Sequence, residues 1–243
     1  MRALLLVTLL VAGALATAPQ KPRRHFGTRN AANINDYIDQ VLPNIAQFLA
    51  DNGLDPIALP DDVQSFSEEG PLGTVWHGEV GLFDGSLSGL SQVVRAGDAF
   101  LDYSDLHFKV NMTLGFTAVD LTYGFECQLM DIGPKGTLYG TVHDLAVFAE
   151  LSLDMSNLTS PAVALNQLYF SNAGTLDIHI EGIGLDLLDN ILADIVTGLF
   201  HDVILDAIED KAREVIENAL DGLSMKTLLP FVSRLIINHR SHL

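Results

Sequence analysis

The chain has 243 residues, of which 31 are acidic and 13 basic, and its net charge at neutral pH is −18. Residues 30–210 carry 28 of the acidic residues and only three basic ones. Such a body repels phosphate backbones, so we expect no nucleic-acid partner. The apolar fraction of 48% is typical of a folded globule. The single cysteine, Cys127, has no second thiol in the chain to pair with, so we expect the core alone to hold the fold.

Residues 1–18 have the layout of a secretory signal peptide, with Arg2, an apolar run and then small residues. The run is shorter than the roughly 20 apolar residues that span a bilayer. We therefore predict a secreted, extracellular protein without a transmembrane segment. Residues 19–30 are predicted to be a flexible basic leader. Residues 224–243 are predicted to be an amphipathic C-terminal extension.

The first structured element is predicted to be a helix. Apolar residues recur at three- and four-residue spacing through residues 31–52, which is typical of an amphipathic helix. Asn52 and Gly53 provide a C-terminal stop, and Pro43 predicts a kink. Residues 54–72 are polar and contain proline, which predicts a connector.

The apolar period then changes from about 3.6 residues to 2, which predicts β-strands. Frequent glycines in residues 73–94 predict one or two strongly curved strands. Strict alternation predicts further strands that each have one solvated face. These are Leu106–Phe116, Val119–Leu129, Leu145–Met155 and Leu176–Ile180. Gly133 to Gly136 predicts a turn within an antiparallel meander.

Residues 185–223 carry one broad apolar stripe, and the acidic residues lie mostly outside it. This pattern predicts a helix of about 50 Å or more at 1.5 Å per residue, which Gly198 allows to bend. A sheet with one apolar face needs a cover, and such a helix needs a partner. We therefore predict an α+β fold, in which a strongly curved antiparallel sheet wraps around the long C-terminal helix and the N-terminal helix lies alongside.

Several local strings resemble the mite group 7 allergen family, namely Gly89 to Asp98, the triplet Asn111-Met112-Thr113, and Ile191 to Ile204. The similarity runs from about residue 33 to 222. That family is similar to the tubular lipid-binding proteins, which include bactericidal/permeability-increasing protein and juvenile hormone-binding proteins. The resemblance implies a super-coiled sheet wrapped on a long helix, and a lipid-binding domain over residues 31–223. Juvenile hormone carriers have N-terminal cysteines that this chain lacks, which favours the group 7 branch.

We therefore expect a non-enzymatic binding protein that holds lipid or another apolar small molecule between sheet and helix. The expected lining residues are Phe108, Val110, Met112, Leu114, Phe116, Ile195, Leu199 and Phe200. The same side chains also suit a filled, close-packed core, and the pattern fits both. The alternative is an innate-recognition or protein-interaction module, which would contact a partner through its surface or its C-terminal extension.

No sequence pattern favours an enzyme. The serines between Gly85 and Gly89 have the wrong spacing for a nucleophile elbow. Cys127 belongs to the apolar face of its strand, which predicts a buried, inert thiol. Asp177, His179 and Glu181 share one strand face and are interpreted as solvated side chains. No zinc spacing, phosphate loop or calcium loop occurs, so we expect neither metal nor cofactor.

Two N-glycosylation sequons are present, at Asn111 and Asn157. Asn111 lies on the predicted polar face of its strand, where a glycan can project into solvent. Asn157 follows the strand that ends near Met155, in a predicted loop. We expect both asparagines to be glycosylated in a eukaryotic secretory pathway.

Overall fold

The computed structural model describes residues 30–69, 75–129, 133–157, 162–181 and 186–221. The predicted signal peptide, the leader up to residue 29 and the extension at 224–243 lie outside these ranges, so they stay predictions. None of the helices in the described ranges is long and apolar enough to cross a membrane.

The described residues form one antiparallel sheet and two helical regions. The strands are β1 Asn30–Asn33, β2 Ile57–Ala58, β3 Asp62–Glu69, β4 Val75–Ser88, β5 Val93–Arg95, β6 Phe100–Ser104, β7 His107–Leu129, β8 Lys135–Asp154, β9 Ala162–Asn172 and β10 Thr175–Glu181. The helices are α1 Asn35–Asp51, α2 Asp186–Leu199 and α3 Leu205–Asp221, and a π turn at Phe200–Ile204 joins the last two.

The sheet is built around β7 and β8, which pair with each other from His107↔Asp154 to Glu126↔Lys135. Each of these strands has different neighbours along its length. At one end the strand order is β3–β4–β7–β8–β10, and at the other it is β1–β6–β7–β8–β9. The 20 residues of β8 span about 66 Å at 3.3 Å per residue. The sheet is therefore long enough to follow the whole C-terminal helix.

The predicted break between Phe116 and Val119 is not a gap between two strands. Both residues lie within β7, and the buried positions change there from even to odd numbers. The same change occurs on β8 between Val142 and Leu145, next to Asp144, whose φ is +59°. Because side chains alternate strictly along an extended strand, the inner face switches only where the backbone leaves that conformation. The apolar pattern therefore shifts phase although the strand continues.

Two further predictions about the sheet were wrong. Residues 54–72 are not merely a connector, because β2 and β3 lie there and pair with β4. The first helix begins at Asn35 instead of residue 31, because β1 precedes it and pairs with β6. In addition, β9 was missed. Its register shifts beside Asn166, which interrupts the alternation that would have revealed it.

The predicted long helix is confirmed over residues 186–221, which span about 54 Å. Five of its buried residues are spaced four apart. In an ideal helix of 3.6 residues per turn, residues at this spacing would gradually turn away from a common face. They are Leu192, Val196, Phe200, Ile204 and Ile208. The wider π turn within this set corrects the rotation, so the stripe keeps facing the sheet.

Polar contacts attach α1 and the β4–β5 loop to the rest of the fold. Arg95 of β5 donates two hydrogen bonds to Asp39 of α1, at 2.8 and 3.0 Å. The Asp55 carboxylate, which follows α1, accepts hydrogen bonds of 2.8 and 2.7 Å from the backbone N–H groups of Gly89 and Ser91 in this loop. Partial burial opposes ionisation of Asp55, but the hydrogen bonds outweigh it and hold its pKa below the ordinary value.

Candidate ligand-binding interior

An apolar interior lies between the inner face of the sheet and the long helix. Buried residues of α1, the sheet and the helix form one contiguous core. α2 lies against β10, and α3 lies against β9. Among the residues whose side-chain burial the structure describes, no charged side chain is buried. The core between the sheet and the long helix is therefore apolar.

The eight residues predicted to line the interior all belong to this core or pack against it. Five project from one half of β7, and three come from the helix more than 70 residues later in the chain. Val110, Met112, Phe116, Leu199 and Phe200 are buried, and Phe200 is completely so. Phe108, Leu114 and Ile195 are half-buried and pack against the same core. All eight are therefore inner residues of the fold, and their contact with a ligand stays a prediction.

The interior extends into the other half of the β7–β8 pair, which the prediction of lining residues left out. The inner residues there are completely or almost completely buried. They are Val119, Leu121, Tyr123, Phe125 and Cys127 on β7, with Leu138 and Val142 on β8. The alternation of these residues was visible in the sequence. What the sequence did not show is that the phase change keeps both halves of β7 facing the same core.

Tyr123 brings a polar group to the interior wall. Its hydroxyl donates a hydrogen bond of 2.9 Å to the carbonyl oxygen of Pro60, and burial raises the pKa of the phenol. The ring lies directly over Gly85 of β4, where a Cβ atom would overlap it. Gly85 therefore serves close packing, and the serines around it are parts of a curved strand.

The family model described as the group 7 allergens matches residues 33–220, which includes both helical regions and the whole described sheet except its first residues. The chain belongs to the group 7 allergen family. No curated protein sequence matches it.

Two solved structures are similar to this group 7 allergen family member. One is lipopolysaccharide binding protein, with a TM-score of 0.54 and 15% identity over 79% of this chain and 40% of that chain. The other is Takeout 1 of Epiphyas postvittana, with a TM-score of 0.39 and 14% identity over 84% of this chain and 88% of that chain. The group 7 chain thus spans 40% of the length of lipopolysaccharide binding protein, and the likeness to that protein shows the fold alone.

Groups that resemble catalytic or metal-binding residues do not assemble into a site in the described part of this group 7 protein. Cys127 is completely buried, and burial raises the pKa of its thiol, which lowers the thiolate fraction. His143 Nε2 lies 3.4 Å from Asp177 Oδ2, but both side chains are exposed on the outer face. No group of three or more potential metal ligands occurs within the described residues.

The two predicted glycosylation sites differ in environment. Asn157 is exposed and lies three residues beyond the end of β8 at Asp154, as expected for a loop. Asn111 lies near the start of β7, opposite Glu150 of β8, and is half-buried. Its Oδ1 is shielded from solvent and has no hydrogen-bond partner in the described residues. Asn111 is therefore less accessible than its position on the polar face suggested.

Proposed function

We propose that this member of the group 7 allergen family is a secreted, non-enzymatic protein that binds lipid or another apolar small molecule between its curved sheet and its long helix. One observation carries the proposal. Apolar residues from two distant parts of the chain belong to one contiguous core, and no charged side chain is buried among the residues whose burial the structure describes. Lipopolysaccharide binding protein, whose fold is similar, is named for a lipid-containing ligand.

The energetics of such an interior favour an alkyl chain. Each buried methylene contributes about 0.8 kcal/mol, so ten of them contribute about 8 kcal/mol before the cost of immobilisation. The interior is also elongated, because the helix that borders it runs for about 54 Å. A long, flexible chain matches this shape better than a compact ring system does.

The test begins with protein secreted from eukaryotic cells. Native mass spectrometry followed by organic extraction should show co-purified apolar molecules, and the stripped protein should take up a fluorescent alkyl probe. A protein that contains no lipid and takes up no probe would overturn the proposal. Detection of the processed, secreted chain, with cleavage after Ala16, tests the predicted secretion separately.

A pair of variants places the ligand within the interior. Met112→Trp adds bulk to the inner face of β7, where Met112 is 4% exposed. Val94→Trp adds the same residue type on β5, where Val94 is 45% exposed and pairs with Gly115 of β7. We expect Met112→Trp to lower probe capacity and Val94→Trp to leave it unchanged, with circular dichroism confirming that both variants are folded. Equal capacities would show that the probe binds elsewhere.

A further inference from the structure

The edge strands β9 and β10 cover the interior incompletely. The inner residues of β10 are Leu176, Ile178 and Ile180, and all three are only half-buried. On β9, Val163, Leu165 and Phe170 are half-buried as well, and only Leu168 is buried. The inner residues of the central strands β7 and β8 are mostly buried. The inner face of the sheet is therefore more exposed along the edge formed by β9 and β10 than at its centre.

The parts of the long helix that lie against β9 and β10 also carry half-buried apolar residues. They are Ile195 of α2 with Val215 and Ile216 of α3, and they pack against the core without being enclosed. Because α2 lies against β10 and α3 against β9, these residues and the inner residues of the two strands border one line. We call this line the seam. Arg213 crosses it with a hydrogen bond of 2.8 Å to the carbonyl oxygen of Leu168.

The opposite side of the interior is closed. There α1 packs against the sheet beside β5, and Ile38 and Leu101 have no exposed surface. The hydrogen bonds between Arg95 and Asp39 hold this helix in place. An alkyl chain would therefore meet less resistance at the seam than on the α1 side.

The helix and the two strands that form the seam carry an excess of acidic residues. Residues 186–221 contain ten acidic and two basic residues, and residues 162–181 contain no lysine or arginine. Both basic side chains are paired with glutamates, Lys211 with Glu214 at 2.9 Å and Arg213 with Glu209 at 3.2 Å. The positive charges at this border are thus already neutralised by close partners.

We propose that the seam is the entrance through which the alkyl chain of an amphiphile reaches the interior, and that its acidic border selects an amphiphile without an anionic head group. This inference rests on the proposed function and adds a route and a ligand class to it. The alkyl chain enters the apolar core while the head group stays at the border, because the buried residues of the core are apolar and would not compensate a charge. A carboxylate or phosphate there is repelled by the uncompensated acidic residues of the helix, whereas a hydroxyl is not.

Three fluorescent probes with the same 12-carbon chain test the ligand class, one ending in a hydroxyl, one in an ammonium and one in a carboxylate. At low ionic strength we expect the hydroxyl and ammonium probes to bind and the carboxylate probe to bind at least about threefold more weakly than the hydroxyl probe. Added salt should narrow the difference, because it screens charges at the border. Equal affinities for all three probes at low salt would overturn the selection.

Two charge-reversal variants test whether acidic residues near the seam cause the weaker binding of the carboxylate probe. Glu217→Lys changes an exposed helix residue beside Ile216, and Glu79→Lys makes the same change on β4, three strands from β10. At low salt, Glu217→Lys should tighten the carboxylate probe about threefold and leave the hydroxyl probe unchanged. Glu79 lies about 14 Å or more from β10 across the sheet, so Glu79→Lys should change the affinity for neither probe. An equal response to both variants would refute a local border effect.

The route is tested by kinetics with the hydroxyl probe. Ile178→Trp should slow probe uptake about tenfold by adding bulk at the seam, and Ile178→Ala should speed it. Val94→Trp on the outer face should leave the rate unchanged. If the hydroxyl probe does not bind at all, the proposed function fails. If it binds but both Ile178 variants take it up at the wild-type rate, only the entrance is overturned.

Discussion

The contact between Gly85 and Tyr123 tests how the interior wall is packed. Gly85 lies on the inner face of β4, and an added Cβ would overlap the Cε1 and Cζ atoms of the Tyr123 ring. The ring has no exposed surface, and its hydroxyl is held by the carbonyl oxygen of Pro60 at 2.9 Å. The ring therefore has no free direction in which to move away.

Gly85→Ala should lower the free energy of unfolding by about 2–4 kcal/mol. Overpacking a core typically costs about 1–3 kcal/mol, and displacement of the ring would add about 1 kcal/mol for the weakened hydrogen bond. Urea denaturation followed by circular dichroism measures this loss, which should lower the midpoint by roughly 1 M or more. Gly81→Ala on the same strand is the control, because its Cβ would meet only the carbonyl oxygen of Glu126 at 3.9 Å.

A double-mutant cycle separates this contact from general strain in β4. Tyr123→Leu alone is destabilising, but it removes the ring atoms that the new methyl group would meet. In the Tyr123→Leu background, Gly85→Ala should therefore cost at least about 1 kcal/mol less than in the wild type. Additive losses, or a Gly85→Ala variant as stable as Gly81→Ala, would refute the packing described here.

Three other predictions concern the helix, a loop and the glycans. Phe200→Ala should lower the free energy of unfolding, measured by urea denaturation, by about 3–5 kcal/mol because the ring is fully buried. Val203→Ala, at a position that is 39% exposed, should lower it far less. Similar losses for the two variants would contradict the orientation of the helix. The lowered pKa of Asp55 means that its ionised form stabilises the fold above about pH 4 and loses that effect at lower pH. The stability difference between wild type and Asp55→Asn should therefore shrink from pH 7 to pH 3, and a constant difference would contradict the hydrogen bonding. Asn157→Gln should remove one endoglycosidase-sensitive mobility shift from the secreted protein; the same test on Asn111→Gln decides whether the half-buried sequon is used.

The sequence predicted the elements whose apolar pattern is uninterrupted along their length. The long helix was placed correctly because its apolar stripe persists from Ile191 to Leu220. The strand Leu176–Ile180 was found because its alternation is uninterrupted, and β10 confirms it. The strands β2 and β3 were missed because their segment is polar and contains proline, and β9 was missed because it changes register beside Asn166.

The candidate site was also predicted only in part from the sequence. The sequence by itself determined which side chains are apolar and share a strand or helix face, and so it identified Phe116 and Phe200 as interior residues. Only the tertiary structure decided that β7 is one strand whose inner face switches between Phe116 and Val119, and that the inner residues of β10 stay half-exposed. The physical reason is that alternation is a property of consecutive residues, whereas burial depends on what lies opposite. An apolar residue on a central strand is covered on both sides, but the same residue on an edge strand is covered only as far as the helix reaches.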